Sequence, residues 1–479
     1  MYDVAIIGSG IIGCSIAREI SKYNLNVIVV EKAMDLAAGT TKANSAIVHA
    51  GFDAKPNTFK GKLNAKGNAM FEKLSKELDF PFKKNGSLVL CLDEADKKNL
   101  ELLKKQGELN GVDGLQILTG EETRRVEPNI SKNVLAALFA PSGGIVCPYE
   151  MNIAMAENAF ANGVKFDFGS EVEDIKKIDG GYSLIIDGHK FLESKVIINA
   201  AGLYSDVINN LVSDDKFNII PRKGEYCLFD KAVGGMVSKT IFQLPTKFGK
   251  GVLITPTVDG NLLIGPNAVN IEDKENFDTT KDGLDFILDK ARLSIEDIPI
   301  NQIITSFSGL RATNEKNDFL IGEAKNCPGF INAASIDSPG LTAAPAIAEM
   351  IARMVKDILK ATIKRDFISG RKGILKFREL SNEERNTLIK SNPDYGRIVC
   401  RCEVITEGEI KDAIRRPLGA RTIDGVKKRT RAGMGRCQAG FCTSRVIDIL
   451  SKELCLPPTK ITKFGREATL LIGKNKENL

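Results

Sequence analysis

Four of the ten cysteines form a pattern near the end of the chain: Cys400 and Cys402 as C-x-C, then Cys437 and Cys442 as C-x4-C. Thiolate sets of this kind hold iron–sulfur clusters or structural zinc. The glycines of GMGRCQAGFC let the backbone fold tightly around inorganic sulfide, and zinc sites favour wider spacings than C-x-C. An iron–sulfur centre is the favoured reading; zinc and unligated thiols are the alternatives. The remaining cysteines, Cys14, Cys91, Cys147, Cys227, Cys327 and Cys455, are scattered among apolar or mixed neighbours and read as buried thiols in a reducing compartment.

The opening residues offer a second kind of chemistry. MYDVAIIGSGIIGCSIAREI runs into LNVIVVEK: an apolar strand (Val4 to Ile7), the glycines Gly8, Gly10 and Gly13, a helix, a second strand, and Glu31 at its end. In that setting the glycines make a dinucleotide fingerprint rather than an ordinary glycine-rich turn. Gly8 permits the tight turn, Gly10 lets the main chain approach a pyrophosphate, and Gly13, with Ala17 on the same face, allows close helix packing. The helix start at Ile11 and Ile12 aims amide hydrogens at phosphates, and Glu31, followed by Lys32, accepts from ribose hydroxyls.

There are two histidines. His189 lies in an expected hairpin far from any motif and reads as a surface residue. His49 follows the small-residue loop GTTKANSAIV and precedes Gly51. An imidazole titrating near neutrality suits a general base, although a lone histidine is as readily structural.

Elements far apart in sequence must bring these residues together. The segment from Val164 to Gly202 reads as short strands around a Gly180-Gly181 turn; its last strand runs into Ala200, Ala201 and Gly202, where small residues allow close approach to a ligand. Strand-rich stretches at Gly86–Leu92, Lys223–Asp230 and Gly251–Pro266, with a helix-like Glu94–Leu109, suggest an inserted, mostly antiparallel domain. A later helix carries Ala344, Ile347, Ile351, Met354, Val355 and Ile358 on one face. Thr342 is expected to cap it, with Pro345 in its first turn. Its positive end, at Gly340 and Leu341, suits an anionic ring; a plain core helix is the competing reading.

The expected architecture is α/β: a Rossmann-like domain from residues 1–80, 145–215 and 305–360, an inserted α+β substrate domain from 81–144 and 216–304, a polar linker at 361–392, a small helical cysteine domain at 393–460, and a tail at 461–479. A length of 479 residues and 43% hydrophobic content suit several cores, and the net charge of +6 does not point to nucleic acid. No apolar run is long enough to cross a bilayer, and an early strand leaves no room for a signal peptide, so the expected location is cytoplasmic, at most peripheral to a membrane through a partner. The cysteine domain carries Arg401, Lys411, Arg415, Arg416, Arg421, Lys427, Lys428, Arg429, Arg431, Arg436 and Arg445. These predict a basic surface for an acidic redox partner, or simply a solvated charged face. From Arg401 to Arg445, the stretch that carries these cations, Phe441 is the single aromatic available for base stacking, so nucleic acid is disfavoured.

GSGIIG with Glu31, then GTTKANSAIVHAGFDAKP, INAAG, PTVDGNLLIGPNA, FSGLR and SPGLTAAPAIAE, in that order, resemble FAD-dependent oxidoreductases of the D-amino-acid oxidase fold. Within them the chain is similar to glycerol-3-phosphate dehydrogenases and L-2-hydroxyglutarate dehydrogenases. VCRCEVITEGEI through TRAGMGRCQAGFC resembles bacterioferritin-associated ferredoxin, whose matching cysteines hold a 2Fe-2S cluster. The large subunits of anaerobic glycerol-3-phosphate dehydrogenases join these two modules. The resemblance implies FAD along Thr40, Thr41, Asn44, Ser45 and Ala46, its adenine at Val172, and its ring at Gly309, Gly340, Leu341 and Thr342. It implies catalytic roles for His49, for Arg311 over the substrate's anionic group, and for Tyr226 on the substrate side.

The implied substrate is a small anionic secondary alcohol, first glycerol 3-phosphate. HAGFDAKP has Phe52 and Asp53 where phosphate enzymes carry an arginine, which leans towards a 2-hydroxy acid; Lys55, Lys60 or Lys62 could restore the charge. The pairing of a two-electron and a one-electron carrier implies a hetero-oligomer with another redox subunit, flavoprotein or quinone-linked. An amino-acid or amine oxidase and an electron-transfer subunit without its own substrate are the other classes open to this fold.

Overall fold

The computed structural model describes residues 1–244, 251–473 and 475–476. Residues 245–250 of the expected substrate domain, and 474 and 477–479 of the tail, lie outside them.

The apolar opening run forms the strand Tyr2–Ile7, with Val4, Ala5 and Ile6 fully buried. A strand buried on both faces belongs inside a parallel sheet, and this one is flanked in parallel by Val27–Glu31 and Lys190–Asn199. Lys165–Phe168 continues the sheet beside Val27–Glu31. On its other edge Lys190–Asn199 serves two further neighbours: its first half pairs antiparallel with Gly181–Ile186 and its end lies parallel to Phe330–Ala334. The helices Ile11–Ile20 and Gly340–Leu359 share one core, built on Ile16, Ile20, Ile347 and Ile351. Each of these isoleucines contributes about 1.5–3 kcal/mol by leaving water. The second helix starts at Gly340, directly after Pro339, so Pro345 falls in its second turn and Thr342 lies inside it and caps nothing.

Among the described residues the second sheet has nine strands. Ser87–Cys91, Gln116–Thr119 and Ala136–Ala140 join a set running from Ile220–Phe229 to Val269–Asn270, and one pairing, Thr240–Gln243 with Ser87–Cys91, is parallel. Ile303–Thr313 runs antiparallel to Ile220–Phe229 along its whole length. Residues 305–313, expected in the nucleotide-binding domain, therefore belong to this sheet. SFSGLRAT is too polar to be buried on both faces of a parallel sheet, whereas a long antiparallel neighbour satisfies its main chain. At Gly309 a Cβ would lie 1.9 Å from the Ala43 carbonyl oxygen, and beside it Thr40 Oγ1 donates to the Leu310 carbonyl at 2.6 Å. The two sheets are stitched together there.

The cysteine domain pairs Ile398–Cys400 with Ile405–Thr406 and adds the helices Glu407–Arg415, Ile423–Thr430 and Thr443–Leu454 around Ile410, Ile414, Val426 and Leu450. Thr406 and Glu409 form a capping box that starts the first helix. Cys455 is exposed, against expectation, because it is the left-handed C-cap of the last helix. The 361–392 stretch is strapped down rather than free. Phe377 is buried, the carbonyls of Ile368 and Gly370 accept from Asn158, and Arg371 and Arg378 pair with Glu157 and Asp259.

The expected basic surface is in part an internal interface. Arg416 pairs with Glu157 at 2.9 Å, Arg429 with Asp35 at 2.7 Å, and Arg431 with Asp259 at 2.7 Å and Glu403 at 2.9 Å. Lys428 joins Asp35, and Arg436 reaches Asp230 at 3.0 Å. The acids they neutralise, apart from Glu403, sit on the two large sheets' domains, hundreds of residues away in sequence. Arg401, Arg415, Arg421, Arg436 and Arg445 remain exposed.

Candidate active site

One cavity of about 2030 Å³ runs from the carboxyl end of the parallel sheet to the nine-stranded sheet. Its first end is lined by Gly8, Gly10, Ile11, Ile12, Glu31 and Lys32, with Val172, Ala200, Ala201 and Gly202 beside them. Gly8 has φ 105°, and a Cβ on it would lie 2.5 Å from the Ala200 carbonyl oxygen. Gly13 is off the cavity; a Cβ there would lie 1.9 Å from the Gly8 carbonyl oxygen, so its role is to let the helix close on the turn. Thr41 Oγ1 accepts from the Ile11 amide at 3.0 Å, and Glu31 accepts from the Ser9 amide and hydroxyl at 2.7 and 2.9 Å. The amides of Gly10 and Ile12 have no acceptor among the described residues. Open donors at the positive end of a helix are what a diphosphate uses.

The middle of the cavity is walled by Thr40, Thr41, Asn44, Ser45 and Ala46 and by Gly309, Gly340 and Leu341. Asn44 shapes this loop: its amide donates to the Thr40 and Thr41 carbonyls at 3.1 and 2.9 Å and its oxygen accepts from the Ala46 amide at 2.8 Å. Thr342, expected on the wall, is fully buried instead. Its hydroxyl oxygen accepts from the His49 amide at 2.9 Å, pinning His49 to the start of the Gly340–Leu359 helix.

His49, Tyr226 and Arg311 all face the far end. His49 Nε2 lies 3.5 Å from Ser338 Oγ, and its carbonyl accepts from Asn68 at 3.0 Å. Tyr226 stacks on Phe307, ring centres 4.8 Å apart, and its hydroxyl lies 3.3 Å from Ser45 Oγ. Burial pushes the Tyr226 phenol above its ordinary pKa, so it stays protonated. Arg311 donates to the Asn267 carbonyl at 2.9 Å and more weakly to those of Arg222 and Lys223; burial lowers its pKa, while Tyr226 and Asp337 oppose that. Its hydrogen bonds go to main-chain oxygens, so its charge stays available to an anion in the cavity.

Sequence reasoning missed Asp337, which pairs with Lys60 at 2.6 Å on the same wall, and Ser338 beside His49. Ser338 opens the SPGLTAAPAIAE stretch and Asp337 directly precedes it, so the Ser-Pro turn was their signal. Of the lysines near Phe52, Lys55 and Lys60 line the cavity, whereas Lys62 is exposed and off it.

Near the cluster domain, Cys402 and Cys437 place their sulfurs 3.6 Å apart, and Cys400 stands against Cys442. Cys400 is held low, at about 6, by the Cys442 thiol, then by amides of Gly433 and Glu403 that outweigh burial. No three of the four sulfurs lie within 4.8 Å of one another. A tetrahedral zinc with bonds of 2.3 Å would bring all four to about 3.8 Å. Two separated pairs suit two bridged irons, each taking two thiolates. A second group, Cys147, Glu150 and Asp259, does cluster within that distance. Its carboxylates already pair with Lys376, Arg378 and Arg431, leaving no negative charge for a cation.

Residues 3–354 match the model of the FAD dependent oxidoreductase family, and residues 398–452 match the BFD-like 2Fe-2S binding domain. The chain belongs to the FAD-dependent oxidoreductases. The cofactor of this family is FAD, and that of the appended domain is a 2Fe-2S cluster. The oxidoreductase is 54% identical to a glycerol 3-phosphate dehydrogenase of Caloramator mitchellensis over 100% of both chains. It is 25% identical to an L-2-hydroxyglutarate dehydrogenase of Arabidopsis thaliana over 73% of this chain and 82% of that one. Among solved structures, the L-alpha-glycerophosphate oxidase of Mycoplasma pneumoniae with FAD bound superposes with a TM-score of 0.73 and 33% identity, covering 78% of this oxidoreductase and 98% of that chain. No helix among the described residues is long and apolar enough to cross a membrane.

Proposed function

We propose that this oxidoreductase converts sn-glycerol 3-phosphate to dihydroxyacetone phosphate and delivers the electrons through its cluster to a second redox protein. The observation that carries the reading is the convergence of His49, Tyr226 and Arg311 on one cavity with open phosphate donors at its other end; the full-length relative supports the choice of substrate. Bound FAD supplies the hydride acceptor. His49, held by Thr342 and Ser338, takes the hydroxyl proton as the carbinol hydrogen leaves. Arg311 fixes the anionic end of the substrate, and protonated Tyr226, braced by Phe307 and Ser45, orients its oxygens. Cys400, Cys402, Cys437 and Cys442 would hold the cluster, whose chemistry when bound would be single-electron transfer, and the acceptor is a flavoprotein or quinone-linked partner in a hetero-oligomer, peripheral to a membrane where that partner sits in one.

A second reading is a 2-hydroxy acid such as L-2-hydroxyglutarate. It is favoured by Phe52, which is buried where a phosphate-binding arginine is expected. Anaerobic addition of glycerol 3-phosphate, L-2-hydroxyglutarate, L-lactate and amino acids to the holoprotein separates these readings. Bleaching of the flavin by glycerol 3-phosphate at the lowest concentration supports the first. Bleaching by amino acids alone selects an amino-acid oxidase, and none at all selects an electron-transfer subunit.

A further inference from the structure

The cluster domain helps to wall the flavin cavity, through Thr422, Asp424, Lys427, Lys428 and Met434. Of these, Met434 lies on the loop that carries a cluster cysteine, three positions before Cys437. Across from it, at the start of the helix Pro148–Ala161, Tyr149 also lines the cavity, and its hydroxyl donates to Met434 Sδ at 3.4 Å. Neither side chain has a part in the substrate chemistry above.

Tyr149 belongs to the flavin side. The strand before it, Gly144–Val146, pairs with Ile47–Val48, and the Val146 amide donates to the Ala46 carbonyl at 2.9 Å, which ties Tyr149 to the loop along the cofactor cavity. Met434 belongs to the cluster side. The next residue, Gly435, packs so closely that a Cβ would lie 2.2 Å from Cys402 Cβ, and Gln438 donates to the Met434 carbonyl at 3.2 Å. The Met434 amide donates to the Arg431 carbonyl at 3.0 Å, and Arg431 is anchored on Asp259. The contact is thus held from both sides. Burial raises the Tyr149 pKa, which keeps its hydroxyl a donor.

We infer that the Tyr149–Met434 contact is the bridge along which electrons pass from the flavin cavity to the cluster cysteines. Electron tunnelling favours atoms in contact over gaps, and a thioether is polarizable. The inference rests on the two-cofactor reading above. In the balanced step, the hydride brings two electrons and one hydrogen nucleus to the flavin. The electrons leave singly, each reducing one cluster iron from ferric to ferrous, and the proton is lost to water. An external one-electron acceptor reoxidises the cluster between transfers.

The test compares anaerobic holoprotein with Met434→Leu, Met434→Ala and Tyr149→Phe. The flavin is reduced either by glycerol 3-phosphate or by light with EDTA as electron donor, and cluster reduction is followed by rapid-freeze EPR. Opening a void at Met434→Ala removes the contact outright, so cluster reduction by either route slows about tenfold while flavin reduction by substrate stays within about twofold. Met434→Leu and Tyr149→Phe, which keep the packing, slow it less but measurably, with both reduction potentials unchanged; they decide the question if the alanine variant loses a cofactor. Parent-rate cluster reduction in all variants that retain both cofactors overturns the bridge, as does slowing that a shifted potential explains. If substrates fail to bleach the flavin but light-driven transfer slows in the variants, the substrate assignment falls and the bridge stands.

Discussion

The flavin cavity and the interface with the cluster domain are both rich in arginine and lysine, but they treat charge in opposite ways. At the interface Arg416, Lys428, Arg429 and Arg431 each meet a carboxylate, most of them away from water. In the cavity the Arg311 hydrogen bonds go to main-chain carbonyls and the amides of Gly10 and Ile12 have no acceptor among the described residues. Polar groups left open in an enclosed space mark where a ligand completes the structure, whereas cations matched by carboxylates serve docking. The cluster domain is therefore a fixed relay rather than a tethered shuttle, and the cavity is where the chemistry resides.

Five substitutions break or sharpen this contrast. His49→Asn acts only in the cavity and should lower the rate of flavin reduction by substrate about 10²–10⁴-fold in stopped-flow mixing, with melting unchanged. Arg431→Ala acts only at the interface. It leaves Asp259 with Arg378, and Glu403 with Arg378 and Lys231, and through the loss of its charge-assisted hydrogen bonds should cost about 1.5–3 kcal/mol in denaturant unfolding, with little change in the affinity for substrate. Arg311→Ala reverses that pattern: KM should rise about 10- to 100-fold through loss of charge-assisted bonds worth about 1.5–3 kcal/mol, while stability falls far less than for Arg431.

A pH series reports on one interface pair. Burial pushes the Asp35 carboxyl up, but Arg429 and Lys428 outweigh it and hold the group at about 2, against an ordinary 3.8. A pKa depressed by folding means stability that is complete above about pH 4 and is lost as pH falls towards 2, here about 2 kcal/mol. Asp35→Asn should abolish that part of the acid sensitivity in unfolding curves. Arg445→Ala, at an exposed arginine, should change stability by less than about 0.5 kcal/mol.

Much of the site was legible because its signals are local. A strand, three glycines and a terminal acid declare a nucleotide turn within about thirty residues, and four cysteines declare their cluster by type and spacing. What was not legible depends on partners remote in sequence. Nothing near Arg429 or Arg431 announces Asp35 or Asp259, so a run of cations looks like a solvated face until the domains meet. Residues 305–313 read as part of the nucleotide domain because the strand that satisfies them, Ile220–Phe229, is some eighty residues earlier. Thr342 looked like a cap because its true partner, the His49 amide, comes from a different element.

The most direct measurement is an anaerobic titration of the holoprotein with glycerol 3-phosphate, reading flavin absorbance and EPR on the same samples. The account predicts that the flavin bleaches and that the signal of a reduced 2Fe-2S cluster grows with it. A flavin that bleaches while the iron stays fully oxidised, or a protein whose four thiolates hold zinc, would contradict it.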